Sequence, residues 1–106
     1  MEHLTFEFGP WANAQTPAGA RPAVLAGVVG SGNMEVLIES RLLQGRMCVT
    51  LDTSIRGFAP TWKAVLDDFA ELERFGDVQL TINDAGATPA VVSLRLAQAA
   101  QQWRLA

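Results

Sequence analysis

"PTWKAVLDDFAELERFGDVQLTIND", residues 60–84, changes its hydrophobic period partway along, and that change decides the fold class. Trp62, Val65, Leu66, Phe69 and Leu72 recur at helical spacing and form one apolar stripe. Lys63, Asp67, Asp68, Glu71 and Arg74 occupy the opposite face. Pro60 suits a first helical turn, where a missing N–H is tolerated, and Gly76 supplies a stop. From Val78 the period drops to two. Val78, Leu80 and Ile82 alternate with Gln79, Thr81 and Asn83, the pattern of a strand with one buried face.

Working outward, the same two periods account for most of the chain. "HLTFEF" (3–8) alternates Leu4, Phe6 and Phe8 with polar neighbours and reads as a strand. Residues 9–22 are rich in Pro, Gly and Ala and read as a loop, with Trp11 as a candidate anchor. "VLAGVV" (24–29) and "MEVLIES" (34–40) flank Gly30-Ser31-Gly32-Asn33, which predicts a hairpin, because Gly and Asn tolerate the positive φ of tight turns. "RMCVTLDTS" (46–54) adds a strand after a turn at Gln44-Gly45. A last helix starts at Thr88 as N-cap and Pro89 as first helical residue, with Val92, Leu96, Ala99 and Trp103 as its stripe. Val91, Val92 and Leu94 also suit the start of a strand. The order is β-β-β-β-α-β-α, and the three successive strands from 24 to 54 suggest an antiparallel meander. The expected architecture is α+β: a mainly antiparallel sheet with two helices packed on one face, forming a single domain over 1–106.

Composition narrows the function. Of 106 residues 49% are hydrophobic, enough for a core, and the net charge of −3 is mild. The eight Lys and Arg residues are scattered, so no nucleic-acid partner is expected. One cysteine, Cys48, cannot make an internal disulfide and is expected as a small buried filler in a cytoplasmic protein. His3 is the single histidine, which removes most His-based catalysis and any ordinary zinc site. "MEHLTFEFGP" lacks the basic start and apolar stretch of a signal peptide, and no apolar run approaches a membrane span.

Groups able to do chemistry are few. Asp67 and Asp68 are adjacent on a helix and diverge, which suits a solvated face. Asp84, before "AGATPA", is a candidate site residue or, more simply, a turn cap. Gly27 to Gly32 is glycine-rich but lacks the Lys-Ser/Thr ending of a phosphate loop. Ser31 stands apart. Glycines on both sides leave its hydroxyl open at a hairpin tip, yet the chain offers no evident base to make it a hydrolase nucleophile. A serine modified by another enzyme needs no base, only exposure. An ordinary turn serine is the simpler reading of these residues by themselves.

Three blocks carry a family resemblance: "LAGVVGSGNMEVL" (25–37), "LDTSIRGF" (51–58) followed by Trp62, and "INDAGATPAVVSLRLAQ" (82–98). Together they resemble the acyl carrier, or delta, subunit family of bacterial malonate decarboxylase, from about Leu25 to Gln98. The loop from Gly9 to Pro22 matches no motif of that family, and relatives often carry Asp where this chain has Asn33. The resemblance implies that Ser31 bears 2'-(5''-phosphoribosyl)-3'-dephospho-CoA through a phosphodiester, with Gly30, Gly32 and Asn33 forming the supporting turn. It implies a terminal thiol that carries acetyl or malonyl as a thioester. It implies as partners an acyl transferase subunit, a pair of decarboxylase subunits and a dedicated prosthetic-group transferase. It also implies a fold distinct from the four-helix bundle of pantetheine carriers, and a chain that is itself non-catalytic.

The chemistry is coherent with that assignment. Decarboxylating free malonate would build carbanion character beside a carboxylate; a thioester removes that charge, and the cofactor supplies this electronic feature. Tethering raises the local concentration to the order of millimolar. Glu35, Asp67, Asp68, Glu71, Trp11 and Trp103 are candidate docking residues. The rival expectation is an unmodified scaffold subunit of an enzyme complex, which shares the fold and lacks the modification.

Overall fold

A computed structural model describes residues 1–15 and 21–106. Of the loop expected at 9–22, residues 16–20 lie outside the described residues. The elements are β1 (Glu2–Phe8), β2 (Val24–Gly27), β3 (Met34–Ser40), β4 (Met47–Thr53), α1 (Ala59–Glu73), β5 (Val78–Asp84) and α2 (Pro89–Leu105). They form a five-stranded sheet in the order β1-β4-β5-β3-β2. Three of its four pairings are antiparallel, and β4 with β5 is parallel. This is the expected α+β architecture and not a four-helix bundle.

The expected meander is corrected by this order. β2 and β3 are hairpin neighbours, but β5 lies between β3 and β4. The residues between β3 and β4 therefore cross over the start of β5, and α1 returns the chain so that β5 can pair in parallel with β4. Parallel neighbours need such a crossover. Asp77, immediately before β5, holds the crossing: its carboxylate accepts from the Leu43 N–H at 2.9 Å and the Gly45 N–H at 2.8 Å. These two N–H groups hold the Asp77 carboxyl below its ordinary pKa.

One sheet face carries the core. Register aligns Leu4, Leu51, Ile82, Val36 and Ala26 across all five strands, and Phe6, Val49, Leu80, Ile38 and Val24 beside them. From α1, Trp62, Leu66, Phe69 and Ala70 are buried; from α2, Val92, Leu96, Ala99, Ala100 and Trp103. Helix α2 packs on β2 and β3, and α1 packs towards β1. Arg21 completes one end of α2, with its guanidinium 5.8 Å from the Trp103 ring and donating to the Trp103 carbonyl. Truncating a fully buried residue of this core, such as Leu66, would cost about 2–5 kcal/mol.

Several local expectations shift. Leu72 is 78% exposed rather than part of the buried stripe, because it lies near the end of α1 where no further layer covers it. The helix stops before Gly76: Arg74 takes the left-handed conformation at φ 49° and caps it. Strand β2 ends at Gly27, so Val28 and Val29 are 62% and 56% exposed instead of paired. Cys48 is not in the core. It lies half-buried on the other sheet face, opposite Glu7 and Gln79, and desolvation followed by Glu7 pushes its thiol pKa up. The final segment is helical from Pro89, with Thr88 accepting the Val91 N–H, as the capping signal predicted.

Candidate functional site

The carboxyl ends of β4 and β5, the hairpin between β2 and β3, and the starts of both helices meet at one end of the sheet. Ser31 projects there. The Asn33 N–H donates to the Gly30 carbonyl at 2.9 Å, closing a four-residue turn with Ser31 second and Gly32 third. Gly32 has φ +72°, the conformation a type II turn requires at that position and the reason glycine belongs there. Ser31 is exposed, and a Cβ built on Gly30 or on Gly32 would meet nothing within 4 Å. The hydroxyl stands at a bare apex.

The base of the turn is the opposite. Gly27 has φ +81°, and a Cβ there would fall 2.2 Å from the Met34 carbonyl oxygen and 2.9 Å from Arg95 Cδ. Gly32 N–H donates to the Ala85 carbonyl at 2.8 Å, and Ala85 N–H donates to the Asn33 carbonyl at 2.9 Å. The Asn33 side-chain oxygen accepts from its neighbour's backbone N–H at 2.8 Å and from Arg95 Nε at 3.1 Å. Arg95 is braced in turn by Gln98 Oε1 at 2.9 Å. Asn33 thus ties the turn to α2, a role its sequence context did not reveal because Arg95 lies 62 residues further on. An Asp at position 33 would keep the same acceptor and strengthen it with charge.

The segment that receives the turn is also ordered by a buried carboxylate. Asp84 accepts from Thr53 Oγ1 at 2.8 Å, from the Gly86 N–H at 3.2 Å and from the Ala87 N–H at 3.0 Å. Of its two sequence readings, the turn cap is what the geometry gives. Beside it opens an apolar groove of about 310 Å³, with Ile55, Phe58, Trp62, Val65, Gly86 and Ala87 among its walls. Sequence reasoning did not anticipate the groove, since its walls come from two separate stretches of the chain, 53–65 and 84–92.

The other candidates disperse. Asp67 pairs with Lys63 at 2.8 Å and Glu71 with Arg74 at 2.6 Å, along the exposed side of α1. Asp68 is exposed beside them. Glu35 accepts from Asn83 Nδ2 at 3.0 Å on the uncovered sheet face. Trp103 is 1% exposed and so is no surface anchor, a correction that follows from its place under Arg21. Trp11 packs partly buried against the core. His3 is exposed and pairs with Asp52 at 2.7 Å, far in sequence and in the sheet from the Ser31 turn. No helix is long and apolar enough to cross a membrane, among the described residues.

Fold and site together define a small α+β protein that displays an exposed serine on a hairpin turn. Comparison with known proteins makes the class specific. The family model for the malonate decarboxylase delta subunit matches residues 21–103. A malonate decarboxylase acyl carrier protein of Burkholderia cepacia is 59% identical over 103 residues, covering 96% of this chain and 90% of that one. One from Stenotrophomonas maltophilia is 50% identical over 101 residues, covering 95% and 92%. Among solved structures, a chain in the crystal structure of a Pseudomonas malonate decarboxylase hetero-tetramer in complex with malonate superposes with a TM-score of 0.81. It is 37% identical, with 96% of this chain and 98% of that one covered. The chain belongs to the malonate decarboxylase delta subunit family, the acyl carrier subunits of that enzyme.

Proposed function

We propose that this chain carries acetyl and malonyl groups for a cytoplasmic malonate decarboxylase, as thioesters on 2'-(5''-phosphoribosyl)-3'-dephospho-CoA joined to Ser31 by a phosphodiester. The observation that supports it most directly is the exposed Ser31 hydroxyl at a turn apex whose flanking glycines border open space. The open space at both flanking glycines favours room for a phosphodiester at that apex. When bound, the group supplies a thiol whose thioester removes the negative charge that hinders loss of carbon dioxide from free malonate.

The residues of this chain have simpler tasks. Ser31 provides the attachment oxygen. Gly30 and Gly32 keep the approach clear for a foreign active site, and Asn33 fixes the turn through Arg95. The chemistry at the acyl group is assigned to the partners: an acyl transferase subunit that exchanges acetyl for malonyl, and decarboxylase subunits that release carbon dioxide. A separate transferase installs the group.

Intact mass of the chain purified from its host tests this. The expected result is a gain of one phosphoribosyl-dephospho-CoA unit located on the peptide containing Ser31, absent in Ser31→Ala. An unmodified chain within a fully active complex would establish the scaffold alternative instead.

A further inference from the structure

We infer that the apolar groove beside the Ser31 turn is a resting slot for the adenine base of the group borne on Ser31. The inference rests on the modification reading and adds to it a second, non-covalent contact. The turn is hydrogen-bonded to Ala85, the residue between the groove-lining Asp84 and Gly86, through Gly32 N–H to the Ala85 carbonyl at 2.8 Å. Standard backbone dimensions then keep the Ser31 and Gly86 Cα atoms within about 8 Å of each other. Anything attached to Ser31 begins next to this slot.

The lining selects which part of the group enters. Phe58 is 51% exposed and forms a free aromatic wall, with Ile55 beside it and Trp62 as floor. Of the polar side chains in the lining, Thr53 and Asp84 are already bonded to each other, Asp84 is further satisfied by two backbone N–H groups, and Thr61 adds one exposed hydroxyl. The Asp84 carboxylate repels a diphosphate, so the charged middle of the arm is excluded. The volume of about 310 Å³ suits a small ring system rather than a whole coenzyme. Counting outward from the serine, the phosphate and two riboses come first, then the base; the pantetheine lies beyond the diphosphate. Adenine is the flat, apolar-faced part within short reach, and Phe58 offers it a stacking surface. Holding the base would shorten the free arm and set its direction of departure, leaving the thiol end to move.

The test compares amide spectra of the ¹⁵N-labelled chain with and without its group, after mass has established loading. The expected result is displaced resonances at Ile55, Phe58, Gly86, Ala87 and the Trp62 indole. Displacements confined to residues 27–33 in a loaded sample overturn the slot alone, whereas a sample that never loads at Ser31 overturns the modification reading. An untethered titration of the unloaded chain stands independently: dephospho-CoA is expected to move the groove resonances at millimolar concentration and pantetheine is not. Equal effects of the two, or none from dephospho-CoA, overturn the inference. Phe58→Ala, at an exposed position, should weaken the dephospho-CoA effect about tenfold, with Phe58→Trp restoring it; unchanged affinity in Phe58→Ala counts against the slot.

Discussion

The turn before β3 and the connection after it both combine glycine with positive backbone φ, at opposite ends of one strand. They are finished differently. After β3, Gln44 (φ 57°) and Gly45 (φ 81°) are drawn under the Asp77 carboxylate, and a Cβ on Gly45 would meet Pro10 at 3.2 Å. Before β3, Gly30 and Gly32 border open space, and rigidity is confined to the turn's base, at Gly27, Asn33 and Ala85. One connection is closed for folding; the other is left bare at its tip and firm at its root. On the proposed function, the bare end of the sheet is the workplace and the closed end a joint.

The sharpest way to break this contrast is Ser31→Ala. It should abolish loading and carbon dioxide release in the reconstituted complex while moving stability by less than about 0.5 kcal/mol, as expected for a surface change away from packing. A large drop in melting temperature would mean the apex is structural after all. Gly27→Ala comes next. Its left-handed φ and the approach to the Met34 carbonyl predict a loss of roughly 2 kcal/mol or more in urea unfolding.

Asp77→Ala should lower the unfolding midpoint and leave Ser31 loading intact, the reverse of Ser31→Ala. The folded Asp77 carboxyl has its pKa lowered from 3.8, so its contribution to stability is present above that pH and fades as pH falls below it. Asp77→Asn should flatten that part of the acid profile while keeping an acceptor for the two N–H groups. The smallest effect is expected of Gly30→Ala, within about 0.5 kcal/mol, since its Cβ enters open space. A larger cost there would show that the apex is less open than its geometry indicates.

These contrasts also mark what could be read from residues in order. Alternation located β1, β4 and β5 and the helical stripe located α1, because burial of one face imprints a period on local sequence, while β2 and β3 were located as apolar runs flanking a Gly/Asn turn. The placement of β5 between β3 and β4 left no such imprint. Strand order depends on pairing between distant segments, and Met47, Val49 and Leu51 would suit either neighbour. Asp77 and Asn33 were opaque for the same reason: their partners lie 34, 32 and 62 residues away. Val28 and Val29 read as strand because they are β-branched, but the reversal at Gly27 takes them out of the ladder. At the site, the turn and the exposure of Ser31 were legible from its glycines. The chemical role proposed for it was not; that reading came from the resemblance to a family, and the groove beside it came only with the fold.

The pair of backbone hydrogen bonds joining Gly32 and Asn33 to Ala85 bears on how far the group proposed for Ser31 would have to search. An angular wobble at the foot of a long arm is multiplied by the arm's length at its far end, so a loose foot would spread the thiol over a much larger volume. On the proposed function, with the foot tied to Ala85, that spread would come from the serine side chain and the coenzyme's own bonds, and neighbouring subunits would meet a swing of fixed origin.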